Sequence, residues 1–191
     1  MGGRVHDFSV GGLYNGLVLL IDDQTGTYWD HITGEARHGP LQGERLLMWG
    51  IRLTTVEAAV RQNPALQVLR SPARLMPRLI DWVMWAGLFK RRLPPFFRRT
   101  MTGTDPRLPE MELGLGVVGK TAQRFYPRSV IGSGLQDELA GTTLHIDVDP
   151  ASKIPHAAWA DGSIAVQLFC RWYGFAFSYP RCDVFEATPA P

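Results

Sequence analysis

The stretch LVLLIDDQTGTYWDHI, residues 17–32, joins two β-favouring segments through a polar turn. Leu17 to Ile21 is a short aliphatic run of the kind that favours a strand. The next residues, Asp23-Gln24-Thr25-Gly26, have turn chemistry, because glycine adopts positive φ without a steric penalty. Tyr28 to Ile32 then continues as the returning strand. The stretch therefore predicts an antiparallel hairpin, and the glycines that follow it predict a loop-rich segment.

Two further stretches also favour β structure. Residues 113–126 predict a second strand pair, reached through a polar, proline-containing linker over residues 101–112. Residues 143–148 alternate between apolar and polar side chains, with Leu144, Ile146 and Val148 on one face. This alternation is typical of a half-exposed strand. Leu66 to Leu69 is a candidate for one more short strand.

Helices are predicted elsewhere. The capping-box pattern Thr54-Thr55-Val56-Glu57 opens a helix that Asn63-Pro64 ends. Apolar and aromatic residues at helical spacing predict an amphipathic helix over residues 165–178. The expected fold is therefore α+β, with short antiparallel strands and hairpins, two or three helices and a basic amphipathic helical insertion.

Length and composition narrow the class of protein. With 191 residues and 45% hydrophobic side chains, the chain is expected to form a single domain over residues 1–187 with a frayed tail at 188–191. The net charge of +2 argues against a nucleic-acid-binding protein, and two cysteines are too few for a disulfide scaffold. The sequence shows no signal-peptide pattern and no apolar run long enough for a membrane span, so we expect a cytoplasmic protein.

The small net charge conceals a basic segment. Residues 61–100 contain nine Lys or Arg and a single acid, Asp81, so the remainder of the chain is acidic. Within it, residues 71–100 are predicted to form the helical insertion, with an apolar stripe and a basic end. Its candidate contact residues for a membrane surface or a partner chain are Trp82, Trp85, Phe89, Lys90, Arg91 and Arg92. The alternative is a helix that packs on its own domain.

Residues 114–121 satisfy the phosphate-loop pattern G-x-x-x-x-G-K-T. That chemistry needs a buried strand before the loop and a helix after it, so that loop amides can bind phosphate. Pro109 to Glu112 is no buried strand, and Pro127 follows the motif too closely for a helix. We therefore expect a glycine-rich β-turn and no nucleotide.

The candidate site combines histidines and carboxylates beside the first hairpin. Its residues are Tyr14, Asn15, Trp29, His31, Glu35 and His38, with Asp30 adjacent. If the returning strand runs through His31, then His31 shares a face with Trp29, while Glu35 and His38 follow on a loop. His31, Glu35 and His38 are candidate metal ligands or acid–base groups. The alternative is a turn held by side-chain hydrogen bonds, and the pattern names no cofactor.

The first block of the chain resembles the bacterial family of unknown function DUF3179. The residues that carry the resemblance are Phe8-Ser9-Val10, Leu13-Tyr14-Asn15, Asp22, Thr25-Gly26, Trp29, residues 30–36, Gly39-Pro40-Leu41 and Gly43. Weaker collinear matches follow at Thr54-Thr55, Asn63-Pro64, Val68-Leu69, residues 116–120, Tyr126-Pro127, residues 137–139, Trp172-Tyr173, residues 175–177 and Pro180.

The resemblance implies a fold but no reaction. Family members usually carry an upstream segment with His–Glu and Asn–Asp pairs and a Cys-Pro-Leu-Cys stretch, which these 191 residues do not contain. These residues therefore carry over no activity that depends on that segment, and a natural short form, a fragment and a mis-set start stay open as explanations. The sequence therefore predicts a binding or accessory module, with possible peripheral membrane association. The alternative is a metal-dependent or redox enzyme centred on His31 and Glu35.

Overall fold

The computed structural model describes residues 5–68 and 93–186, which form eleven strands and four short helices. The strands are β1 Phe8–Tyr14, β2 Leu17–Asp22, β3 Tyr28–Asp30, β4 Ala36–His38, β5 Leu113–Val118, β6 Gln123–Pro127, β7 Gly134–Leu139, β8 Thr142–Val148, β9 Pro155–Trp159, β10 Val166–Arg171 and β11 Asp183–Val184. The helices are α1 Val56–Gln62, α2 Pro95–Arg98, α3 Arg128–Ile131 and α4 Trp172–Ser178. The described chain is thus broadly α+β, as expected, with β structure predominant.

The first sheet is an antiparallel meander in the order β1-β2-β3-β4. Strands β2 and β3 form the predicted hairpin, in which Leu20 pairs with Trp29. The returning strand is shorter than predicted, because β3 ends at Asp30. His31 and Ile32 lie instead in the next turn, which begins when the Asp30 carboxylate accepts the Ile32 amide at 2.8 Å.

The second and third sheets enclose the larger core. The second sheet has the order β10-β5-β6-β11, in which β11 runs parallel to β6, and the third has the order β7-β8-β9. Leu144 and Ile146 on β8 are fully buried, which confirms the alternation predicted for this strand. They pack with Leu115 and Val117 of β5 and with Tyr126 of β6.

The other face of the second sheet packs on α4. Phe125 of β6 lies 5.1 Å from the Trp172 ring and 5.6 Å from the Phe175 ring, measured between centroids. Ile32 of the first sheet region joins this cluster, so α4 links the first sheet to the second. Tyr14 and Phe177 also meet edge to face at 5.4 Å.

The prediction of one helix over residues 165–178 was wrong. Residues 166–171 are β10, which pairs antiparallel with β5 so that Phe169 lies opposite Leu115, and only residues 172–178 are helical. The apolar residues of β10 satisfy a helical spacing by chance, and tertiary pairing decides between the two structures.

The remaining predictions had mixed outcomes. Helix α1 is confirmed, although its cap is Thr55, whose hydroxyl accepts the Ala58 amide, and not Thr54. Residues 66–68 form no strand, and residues 101–112 contain neither helix nor strand. In the described part of the chain, no helix has the length and apolarity to cross a membrane.

The predicted basic insertion lies largely outside the described residues. The structure does not describe residues 69–92, and this range includes all of the candidate contact residues, Trp82, Trp85, Phe89 and 90–92. The predicted tail at 188–191 lies in another such range, 187–191. Of the insertion, the structure describes residues 93–100, which contain the four-residue helix α2.

Candidate functional site

The first turn of the candidate site is organised by Asp22. Its Oδ1 atom accepts the amides of Gln24 at 2.9 Å and Thr25 at 3.2 Å, while the Thr25 hydroxyl donates to Oδ2 at 2.6 Å. Gly26, at φ 69°, donates its amide to the Asp22 carbonyl. One carboxylate thus supplies the acceptors that close the turn from β2 to β3.

The second turn repeats this construction eight residues later. Asp30 Oδ1 accepts the amides of Ile32 at 2.8 Å and Thr33 at 3.2 Å. Gly34 also has φ 69° and donates its amide to the Asp30 carbonyl. Both turns therefore share the sequence D-x-x-T-G, a repeated signal that the sequence analysis did not use.

Asp22 is buried and charged. His6 Nδ1 lies 3.1 Å from Asp22 Oδ2, and both side chains are largely withdrawn from solvent. Burial from water acts to raise the pKa of this carboxyl, but the hydrogen bonds from Thr25, His6 and the two turn amides outweigh it and lower the pKa to about 2. The carboxylate therefore stays ionised and holds the turn.

Glu35 forms ion pairs with two arginines. Arg37 places one guanidinium nitrogen 3.2 Å from Glu35 Oε2 and another 3.2 Å from Asp30 Oδ2. Arg45 approaches the same Glu35 oxygen at 3.8 Å. These contacts neutralise the two carboxylates of the site internally, which argues against Glu35 as an open metal ligand.

The two histidines of the candidate site have separate surroundings. His31 is exposed, with Nδ1 2.6 Å from the Val18 carbonyl oxygen, and His38 is exposed beside the Tyr28 ring, 6.4 Å between centroids. Within residues 5–68 and 93–186, no group of three His, Cys, Asp or Glu side chains is placed to hold a metal ion. The structure therefore lends no support to a metal centre at His31, Glu35 and His38.

The other three candidate residues serve packing and turn formation. Trp29 is fully buried and meets the Phe8 ring edge to face at 6.2 Å. Buried Asn15 has φ 49° and accepts the amide of Thr102 at 2.8 Å through Oδ1. Tyr14 is partly exposed against Phe177. The alternative from the sequence, a turn held by side-chain hydrogen bonds, describes this region best.

Both cysteines are free thiols, of which Cys182 is buried and Cys170 is partly buried. Burial raises the pKa of Cys170 to about 12. Burial also raises the pKa of Cys182, although the Arg107 guanidinium, whose Nη2 lies 3.9 Å from the sulfur, acts in the opposite direction. Both thiols therefore stay protonated near neutral pH, which does not suit a nucleophile.

Residues 114–121 form a hairpin, as expected. Strands β5 and β6 pair antiparallel, and Gly119 donates its amide to the Ala122 carbonyl at 2.8 Å in the turn between them. A Cβ atom on Gly116 would lie 2.2 Å from the Phe175 ring, and one on Gly114 would lie 2.4 Å from the Tyr126 carbonyl oxygen. The glycines of the motif thus make room for close packing.

An exposed apolar surface follows the two turns. We call Leu47, Trp49, Ile51 and Leu53 the apolar strip; their exposed fractions are 82%, 74%, 65% and 52%. The strip lies on an extended segment, in which side chains alternate between two faces. Its sequence signal, L-x-W-x-I-x-L, was present but was not singled out by the sequence analysis.

The extended segment that carries the apolar strip packs against the second sheet through the face opposite the exposed side chains. A Cβ atom on Gly50 would lie only 2.4 Å from the Ile164 carbonyl oxygen. Gln167 of β10 donates through Nε2 to the Ile51 carbonyl at 3.1 Å and accepts the Ala157 amide through Oε1. Glycine at position 50 and this buried amide hold the strip against the sheet edge.

The backbone of the strip is open to hydrogen bonding. Among the described residues, none accepts a hydrogen bond from the backbone amides of residues 47–54. Between the strip and β10 lies a cavity of about 250 Å³. It is lined by His31, Ile32, Gly34, Leu46, Leu47, Met48, Trp49, Ile51, Val166, Gln167 and Leu168.

Comparison with known proteins identifies a family. The family model described as a protein of unknown function (DUF3179) matches residues 1–175. No curated protein and no solved structure gives a significant match to the chain.

Proposed function

The chain belongs to the DUF3179 family, whose function is unknown, and we propose that it is a binding module that takes up an extended polypeptide segment along the apolar strip. The observation that carries the proposal is the combination of four exposed apolar side chains with a row of backbone amides that have no acceptor among the described residues. A strand that lies alongside the segment satisfies both at once.

The size of the exposed surface supports a binding role. The four side chains together expose on the order of 500 Å² of apolar surface, comparable with the largest patch on a typical monomer, which is often functional. Trp49, at its centre, belongs to a residue type that is enriched among the strongest contacts of protein interfaces. Single exposed apolar residues are ordinary, but a continuous alternating row of them is not.

The open backbone favours a protein partner over a membrane. Hydrocarbon offers no acceptor for the amides of residues 47–54, and each unsatisfied group costs several kcal/mol in that environment. The carbonyl groups of an added strand supply acceptors for the amides on the edge that it joins. The membrane hypothesis attached to residues 71–100 stays a prediction, because most of that segment lies outside the described residues.

The cavity and the nearby charges suggest the chemistry of the partner. The 250 Å³ cavity between the strip and β10 has room for several water molecules, and thus for one apolar side chain of the bound strand. Arg52 is exposed and forms no ion pair with another described residue. The proposed partner is therefore an extended segment of alternating apolar residues that carries an acidic residue near Arg52.

A peptide titration tests this function. The probe is a synthetic peptide that alternates valine with threonine and glutamate, and the readout is hydrogen exchange at the amides of residues 47–54. We expect added protection at these amides and loss of binding in Trp49→Ser and Ile51→Ser. The matched control is Val10→Ser, which removes an equally exposed apolar side chain from β1.

Three outcomes would overturn the proposal. They are unchanged exchange at residues 47–54, equal binding by the strip variants and wild type, and equal binding of a peptide whose backbone nitrogens are methylated. A different result would assign the strip to a membrane surface. In that case the protein floats with anionic vesicles, the same two variants abolish flotation, and no peptide binds.

A further inference from the structure

We propose that a cavity at one end of the second and third sheets binds a small organic carboxylate with a flat apolar body. The cavity, of about 680 Å³, lies among the turn after β5, the turn after β7 and the turn after β9. This volume is within the usual range for small-molecule sites. The site adjoins the strand-binding surface, since Val166 lines both cavities, but the proposal does not depend on the strand-binding function.

The floor of the cavity is apolar. It is formed by Val118 of β5, Leu139 of β7, Trp159 of β9, Val166 of β10 and the half-exposed Ile164. Leu139 is buried, and Trp159 is partly buried with its ring lining the cavity. A flat apolar ligand would cover this floor and remove apolar surface from water on both sides.

The rim carries one available cation. Lys120 is exposed and makes no ion pair with any residue in the two described ranges. Thr121 and Thr142 also line the cavity, and the hydroxyl group of neither forms a hydrogen bond within those ranges. An ammonium group with two free hydroxyls near an apolar floor suits a carboxylate attached to an apolar body.

Asp161, the acidic residue that lines the cavity, is hydrogen-bonded within its own turn. Asp161 Oδ1 accepts the Ser163 amide at 2.9 Å and the Ser163 hydroxyl at 2.6 Å. These bonds lower the pKa of Asp161 and keep it ionised within its own turn. Asp161 keeps its negative charge, but its Oδ1 atom is already engaged by Ser163. The uncommitted polar groups that a ligand can meet are therefore the donors of Lys120, Thr121 and Thr142, which favour a ligand with acceptor oxygens.

The cavity walls are held in place before any ligand binds. The Trp159 amide donates to the Ser163 carbonyl at 2.9 Å, and Ala158 and Ile164 form a β-bridge. A Cβ atom on Gly119 would lie 3.6 Å from the Trp159 ring, so the turn before Lys120 contacts the floor directly. A rigid site of this kind loses little conformational entropy when it binds.

Titration of the full chain with phenylacetate, followed by backbone amide chemical shifts, tests the proposal. We expect saturable shifts at residues 118–121, 139–142 and 159–166, and binding about three- to tenfold weaker in Lys120→Gln. Lys153→Asn is the matched control, because it removes one positive charge from a turn outside the cavity at a positive φ that asparagine tolerates. We expect it to bind as wild type does.

Two related probes define the ligand class. Phenylacetamide keeps the ring and loses the charge, and acetate keeps the charge and loses the ring; both are expected to bind more weakly than phenylacetate. Absence of saturable shifts at these residues, or equal affinity of wild type and Lys120→Gln, would overturn the site. Equal affinity for either related probe would overturn the proposed class of ligand.

Discussion

Two neighbouring regions of the chain use their residues in opposite ways. Residues 22–38 are rich in His, Asp, Glu and Arg, yet their polar groups mostly bind each other: Asp22 and Asp30 close turns, and Arg37 joins Asp30 to Glu35. The apolar strip has little chemistry of its own, but its side chains are exposed and its amides have no acceptor among the described residues. Reactive residue types and available surface are therefore separate properties of a chain.

The largest effect is expected for Asp30→Ala. The buried Asp30 carboxylate accepts two amides and pairs with Arg37. Its removal leaves those donors without their acceptor, so we expect a loss of about 2–4 kcal/mol in the free energy of unfolding, measured with urea. Asp23→Ala is the control, since the exposed Asp23 carboxylate accepts only the Ser9 hydroxyl among the residues that the structure describes. Equal losses in the two variants would contradict the structural role of Asp30.

An intermediate effect is expected from the titration of Asp22. Because the pKa of Asp22 in the folded protein, about 2, lies below its ordinary value of 3.8, ionised Asp22 stabilises the fold above about pH 4. That contribution is lost as the pH falls from 3.8 towards 2. Urea unfolding across this window should show a smaller decline in Asp22→Asn than in wild type. Identical declines would show that Asp22 is not the group that titrates.

The smallest effect on stability is expected for Trp49→Ser. Trp49 is 74% exposed, so its replacement should change the free energy of unfolding by no more than about 0.5 kcal/mol. Thermal and urea unfolding of the variant measure this directly. A loss of several kcal/mol would mean that the strip is part of a core, and would remove the contrast between the two regions.

Several elements could be predicted from the sequence because their determinants are local. The turn residues after Ile21 and the alternation of Leu144 and Ile146 predicted the first hairpin and β8 correctly. The β pair expected over residues 113–126 was correct, since residues 113–118 and 123–127 are the antiparallel strands β5 and β6. The glycine-rich turn expected over residues 114–121 begins only at Gly119, because residues 114–118 belong to β5.

The errors have physical causes. Residues 165–171 satisfy a helical spacing, but their pairing with β5, some fifty residues earlier, makes them a strand. His31, Glu35 and His38 were grouped by nearness in the chain, whereas their contacts are with Val18, Arg37, Arg45 and Tyr28. The apolar strip was not predicted as an exposed surface. An alternating pattern predicts a strand, but it does not show whether the rest of the fold covers the apolar face of that strand.

The local turns and the family can be read from the amino-acid sequence. In each D-x-x-T-G turn the aspartate reaches amides only two and three residues away, so no distant contact is needed. Which surfaces remain exposed depends instead on tertiary packing. Gln167 meets Ile51 across more than a hundred residues, and the Lys120 cavity forms where three separate turns converge. Such contacts depend on packing between elements distant in the chain, which the pattern of neighbouring residues does not encode.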